Sequence, residues 1–223
     1  MRYITERELR DSFAQGVPAR YDLPADCRLT PLARQYLMDL RLYSPEKPVM
    51  PAASAPAGKK PEYMTHLNGR EMAVKDHPRI VLRGKLDMLE SEILLLMLSA
   101  PLDFHSPLQD ALILTRQVLA ADVKDAPLPP WRLDGMEPEQ VHRCSHHPQD
   151  FGFPGHILPG PEHGLLAAQL NRLRTLVRET EISAVAAYRE GERLAHEDCV
   201  LALNRLSSYF YVLQLRAAQR REG

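Results

Sequence analysis

The stretch from Arg79 to Ser99 constrains this chain more than any other. Leu82, Leu86, Leu89, Ile93, Leu94, Leu95, Leu96, Met97 and Leu98 fall within it, spaced as one side of a helix at first and then crowded, with no proline to break the run. Its second half is apolar enough to predict a helix buried there on most sides, at the centre of a bundle. Two long helical patterns close the chain, about Glu162 to Tyr188 and about Glu192 to Gln219, joined at Gly191. Shorter ones run from about Pro107 to Ala121 and from near Glu137-Pro138, where proline suits a first turn. No period-two alternation of strand length appears. The expected fold is all-α, a bundle of roughly five helices.

A small helical N-terminal unit, residues 1–43, precedes it. Thr5 followed by Glu-Arg-Glu opens like a capped helix, and Thr30-Pro31 places a Thr N-cap before a first-turn proline. Between Ser44 and Pro61 stand Pro45, Pro48, Pro51, Pro56 and Pro61 among alanines, a composition that sustains neither helix nor sheet. Residues 44–61 therefore read as a linker and 62–223 as the main domain.

The 223 residues carry 28 Lys and Arg against 29 Asp and Glu, so no basic field draws nucleic acid. Three separated cysteines, Cys27, Cys144 and Cys199, give no disulfide framework. No apolar run reaches the roughly 18 residues of a membrane span, and the charged start lacks a signal peptide. A cytoplasmic protein is expected.

At 100° per residue, Arg174, Arg178 and Glu181 share a narrow sector of one long helix, beside a stripe of Leu170, Leu173, Val177 and Ala184. The sector is either a solvated edge with an Arg178–Glu181 pair or a fork for a triphosphate. Asp87 lies in line with Leu94 and Leu98, on a face expected to point inward, where a carboxylate needs a partner such as one of those arginines. Asn204, a poor mid-helix residue, is either a tolerated surface amide or one aimed at a ligand. His142 and His146 share a helical face with Cys144 between them, two ligands rather than a closed tetrahedral set. The chain has no P-loop and no G-x-G-x-x-G.

Three blocks of sequence resemble one family. Lys75-Asp76-His77-Pro78-Arg79 followed by Gly84-Lys85-Leu86-Asp87 is similar to the run that opens the bundle in ATP:cob(I)alamin adenosyltransferases of the propanediol-utilisation and human mitochondrial kind, whose second part reads glycine-threonine-hydrophobic-aspartate. Ile157-Leu158-Pro159-Gly160 with Arg174-Thr-Leu-Val-Arg178-Glu179-Thr180-Glu181 resembles a second block. Leu203-Asn204-Arg205-Leu206-Ser207-Ser208 resembles the third. Leu23-Pro24, Arg28-Leu29-Thr30-Pro31, Lys59-Lys60-Pro61, Thr65-His66-Leu67 and His142-Arg143 look like the ethanolamine-utilisation branch.

The resemblance implies transfer of the 5'-deoxyadenosyl group of ATP to cob(I)alamin, forming adenosylcobalamin for ethanolamine ammonia-lyase in that branch's pathway. It implies that Lys75, Arg178, Glu181 and Asn204 contact ATP and its Mg2+, with Lys60 and Thr65 near the triphosphate, and that Arg174 and Asp87 pair across a subunit boundary and shape the site. Phe151, Phe153 and His156 fall near the corrin, His156 close to where propanediol-type relatives place a phenylalanine. Glu179 stands where many relatives have a second arginine. The linker lacks the histidine and cysteine cluster with which some ethanolamine-type members bind a divalent metal, so no protein metal site is expected. A homo-oligomer follows by the same analogy, a trimer or alternatively a dimer, with docking to ethanolamine ammonia-lyase or a bacterial microcompartment. The rival reading is a non-catalytic corrinoid carrier or assembly factor on the same bundle.

Overall fold

The structure, a computed structural model, describes residues 2–14, 16–18, 21, 23–24, 27–40, 42, 60–69 and 71–222. The expected linker, apart from Lys60 and Pro61, and with it Lys59, lies outside the described residues. The chain divides into two units, Met1–Pro56 and Ala57–Gly223.

The first unit pairs β1 (Arg2–Ile4) in parallel with β2 (Cys27–Leu29) and packs α1 (Glu6–Ser12) with α2 (Pro31–Asp39). Both helices start as their sequence dictates. Thr5 Oγ1 accepts from Glu8 N while Glu8 Oε2 accepts from Thr5 N, a reciprocal cap. Thr30 Oγ1 accepts from Ala33 N, with Pro31 at the first helical position. Leu9, Leu29, Ala33 and Leu37 form its small core. The parallel strands were not expected, and at three residues each they are too short to leave an alternating pattern.

Among its described residues the second unit holds five α-helices, four of them long: α3 (Pro78–Ser99), α4 (His105–Lys124), the shorter α5 (Pro138–His146), α6 (Gly164–Tyr188) and α7 (Glu197–Glu222). Before α3, β3 (Met64–His66) and β4 (Met72–Val74) make an antiparallel hairpin; between α6 and α7 lies a smaller one, β5 (Arg189–Glu190) with β6 (Arg193–Leu194). Leu82, Leu86, Leu89 and Ile93 of α3 meet Leu108, Leu114 and Val118 of α4, Val141 of α5, Leu170, Leu173 and Val177 of α6, and Leu203, Leu206 and Phe210 of α7 in one core. Roughly 25 cal/mol is gained per Å² of apolar surface removed from water, and these helices remove it only by packing on one another.

Two expectations need correction. The second half of α3 is not buried on most sides: Ile93 and Leu96 face the core, but Leu94 and Leu95 are exposed and Leu98 is 86% exposed. The buried positions 82, 86, 89, 93 and 96 keep one helical stripe throughout, so the extra leucines belong to an outward face. Second, the last helix starts at Glu197, not Glu192. Gly191, at φ +65, turns the β5–β6 hairpin, and His196, left-handed at φ +49, leads into α7 with its carbonyl accepting from Cys199 N.

Candidate active site

The helix sector expected on α6 is present, with Leu170, Leu173, Val177 and Ala184 buried. Arg178 lies exposed beside that stripe, Arg174 and Glu181 half-buried. Glu181 takes its hydrogen bond from α7 rather than from Arg178: Asn204 Nδ2 donates to Glu181 Oε1 at 2.9 Å. Asn204 Oδ1 in turn accepts from Arg205 at 2.6 Å. An amide, a carboxylate and guanidinium groups therefore line one seam between α6 and α7, with Asn204 turned toward Glu181 by a bond at each end.

Asp87 departs from expectation. It shares a face with Leu94 and Leu98 as the period requires, but that face is exposed. Within the chain it pairs with none of the α6 arginines; Arg174 Nε donates to Asn171 Oδ1 at 3.2 Å instead. The helical period fixes which residues share a face and is silent on whether the face meets the chain's own core.

Glu179, where an arginine was the alternative, is bonded to Lys85 Nζ at 2.5 Å. Lys85 itself occupies the place of the threonine in the resembled motif. The two departures thus form one ion pair between α3 and α6, and the pair adds no net charge.

Thr65 lies in β3 and Lys75 directly follows β4, where Lys75 N donates to Tyr63 O at 2.9 Å. Lys75 is exposed and Thr65 half-buried, while Lys60 is exposed ahead of the hairpin. Sequence reasoning missed the hairpin itself and its tie to the helices. Asp122 of α4 is fully buried, with Arg79 Nε on Oδ1 at 2.8 Å and Arg83 Nε on Oδ2 at 2.5 Å. Arg79 also reaches Asp125 at 3.2 Å, and His196 Nε2 lies 3.0 Å from the same carboxylate. Burial works against the Arg79 charge, but Asp122 and Asp125 outweigh it and its pKa is raised. A signal existed: Asp122 continues the buried stripe of Ala111, Thr115 and Val118, and Arg79 and Arg83 stand four apart.

The loop before α6 carries Phe151, Phe153 and His156. His156 Nε2 lies 3.2 Å from His146 O and Nδ1 3.0 Å from the Tyr211 hydroxyl, which also accepts from Ile157 N at 3.2 Å. One tautomer satisfies every contact: Nε2–H donates to the carbonyl and Nδ1 accepts from Tyr211. Phe151 lies under the Arg143 guanidinium, 5.3 Å from ring centroid to Cζ, and Phe153 N donates to Pro148 O. Behind the loop, Pro159, Gly160, Ala167, Asn171 and Gln214 border a cleft of about 320 Å³.

Two groupings of metal-ligand type are engaged within the protein. His196, Asp198 and Cys199 bring their ligand atoms within 4.8 Å of one another, yet Asp198 accepts from Leu128 N and Cys199 N. Burial first, then Asp198, pushes the Cys199 thiol up to about 12. The His142 and His146 rings meet at 4.3 Å between centroids, tilted by 50°. Burial, then the Arg205 charge and the neighbouring histidines, holds His142 below the ordinary histidine range.

Residues 57–217 match the family model described as cobalamin adenosyltransferase. The chain belongs to this family. It is 32% identical over 243 residues to the corrinoid adenosyltransferase EutT of Salmonella typhimurium (strain LT2), with 96% of this chain and 91% of that protein covered. EutT of Escherichia coli (strain K12) is 31% identical with the same coverage. Among solved structures, a variant PduO-type ATP:corrinoid adenosyltransferase from Lactobacillus reuteri, complexed with cobalamin and ATP, superposes with a TM-score of 0.56 at 23% identity, covering 72% of this chain and 88% of that one. A second variant complexed with ATP gives 0.56 at 21% identity, covering 72% and 91%. These likenesses show the fold, the five-helix bundle described above. No described helix of this adenosyltransferase is long and apolar enough to cross a membrane.

Proposed function

We propose that this cobalamin adenosyltransferase moves the 5'-deoxyadenosyl group of ATP to cob(I)alamin. The cobalt electron pair forms the bond to C5' while the C5'–O bond breaks, and triphosphate leaves with the electron pair of the C5'–O bond. No protein nucleophile is required, so the chain contributes position, charge and a dry pocket. The observation that carries this reading is the Asn204–Glu181 bond across α6 and α7: it joins the second and third motif blocks in one polar seam, with Arg178 three residues before Glu181.

In this reading Arg178 and Lys75 neutralise the departing triphosphate, with Thr65 and Lys60 beside it. Glu181 offers a carboxylate, a hard donor that suits Mg2+, which is commonly held by one or two carboxylates together with substrate phosphates, and Asn204, its amide engaged by Glu181 and Arg205, orients that carboxylate. Bound there, Mg2+ supplies further charge neutralisation. His156, Phe151 and Phe153 face the corrin. Both His156 nitrogens are already engaged, so the imidazole acts by holding the loop rather than by binding cobalt.

The assembly is proposed to be a homo-oligomer, a trimer before a dimer. Support comes from the outward apolar face of α3, where Val81, Met88, Leu95 and Leu98 are exposed beside Asp87; a second copy covering it would bring Asp87 an arginine partner such as Arg174. A role in ethanolamine use, supplying ethanolamine ammonia-lyase in the cytoplasm or a microcompartment, is proposed from the likeness to EutT.

The test is anaerobic incubation with reduced cobalamin and Mg-ATP, followed by absorbance. Adenosylcobalamin should form, and Arg178→Ala should lose well over threefold in turnover, more than about 0.7 kcal/mol of barrier. Cobalamin binding without ATP binding or conversion would instead identify a carrier.

A further inference from the structure

The proposed ATP contacts Thr65 and Lys75 stand on a hairpin of two three-residue strands, and a two-stranded ribbon of that size has little stability of its own. A nucleotide site needs its groups held closely, since about 1 Å of misplacement can cost on the order of a hundredfold in rate. Something must fasten the hairpin to the helices.

We infer that Arg83 is the positioning residue for this hairpin and that Asp122 is the buried anchor that aims it; the inference rests on the reading that Thr65 and Lys75 hold ATP. Arg83 divides its donors in an informative way. Nε goes to Asp122 Oδ2 at 2.5 Å, Nη1 to His66 O at 3.3 Å and Nη2 to Leu67 O at 2.6 Å. A guanidinium serving only to neutralise a carboxylate would present two parallel donors to it. Here one donor reaches the carboxylate and both terminal nitrogens reach main-chain carbonyls, one at the end of β3 and one just beyond.

Arg79 covers the other carboxylate oxygen, through Nε, and also donates to the Asp122 carbonyl. Asp122 is thus held from one side by Arg79 and used from the other to orient Arg83. The planar fork is fixed at three points, which a lysine with its single point charge would not reproduce. The hairpin turn is closed independently: Leu67 N donates to Glu71 O at 2.9 Å and Asn68 Oδ1 accepts from Glu71 N at 2.8 Å. Arg83 therefore sets where the hairpin sits, not whether it pairs. It makes no proposed contact with ATP, and its effect reaches the substrate through Thr65 and Lys75.

Arg83→Gln, Arg83→Met and Lys75→Ala separate the possibilities in the full chain. For both Arg83 variants the KM for ATP should rise about tenfold while kcat at saturating ATP falls less than about threefold. Cobalamin affinity should stay within about twofold, and amide exchange over residues 64–74 should quicken while α6 and α7 stay protected. If one variant does not fold, the other carries the test. Lys75→Ala weakening ATP while a folded Arg83 variant keeps parental affinity overturns the positioning role and leaves the ATP reading standing. No weakening in any of the three removes the ATP reading, and this inference with it.

Discussion

Replacing Asp122 by alanine tests the buried charge cluster most directly. Its side chain is 0% exposed, between Arg79 at 17% and Arg83 at 13%. Removing one partner of a buried pair costs about 3–5 kcal/mol, because the remaining charge keeps its desolvation and loses its compensation. The guanidinium groups retain some solvent, and alanine is the better helix former by up to about 0.7 kcal/mol, so the lower end, about 3 kcal/mol, is expected. For a chain of this length each kcal/mol moves Tm by about 2–4 °C, giving a fall of about 6–12 °C. Differential scanning calorimetry with urea unfolding as a second probe measures it. Arg116→Ala serves as the control: its pair with Glu90 is 51% and 23% exposed and should cost at most about 1 kcal/mol. Asp122→Asn, which keeps an acceptor but not the charge, should fall between them. An Asp122→Ala loss no larger than that of Arg116→Ala would refute the argument.

Other consequences are equally open to measurement. Cys199, at about 12, is about one part in ten thousand thiolate at pH 8, and burial raises Cys144 too; mass spectrometry after iodoacetamide should find both unlabelled until denaturant is added. Tyr211→Phe removes the hydroxyl that holds His156 and Ile157, and at about 0.5–1.5 kcal/mol per bond should weaken cobalamin binding severalfold by calorimetry while leaving ATP binding alone. Leu98→Glu places charge on the outward face of α3, and sedimentation should show a smaller assembly; an unchanged oligomer would mean that the face is not an interface. The hydrogen bond from His196, then the Arg79 charge, holds the Asp125 carboxyl below its ordinary range. That contribution is present above the unfolded value of about 3.9 and disappears as pH falls through the lower folded value, so Asp125→Asn should flatten the acid limb of the stability curve.

What the sequence disclosed follows from the range of the interactions involved. Long helices were legible because a 3.6-residue period is repeated over twenty or more positions, and the stripe of Leu170, Leu173, Val177 and Ala184 lies where that period puts it. Asp87 and Leu98 show the limit: periodicity groups residues on a face, and only packing decides what the face meets. The hairpin at 64–74 left no pattern because three-residue strands hold barely one alternation. The Asp122 cluster joins residues about 40 positions apart in sequence, a pairing that no local window contains. Glu181 stands out in the sequence by its helical sector and Asn204 by its poor mid-helix propensity, each then by motif, and their bond depends on how α6 returns into α7.

That return makes the proposed site a counted object. Between Glu181 and Asn204 the chain runs to the end of α6, turns through Gly191, and re-enters a helix at Glu197. A residue added at the tip, after Gly191 and outside both helices, changes the length of an exposed turn and leaves the helical phase of Glu181 and Asn204 alone. The same residue added between Glu181 and Tyr188 swings one partner about 100° around the helix axis and takes the carboxylate out of reach of the amide. Insertions, tags or reporter domains should therefore be accepted at positions 191–192 with activity retained, whereas single-residue insertions a few positions away in either helix should abolish it.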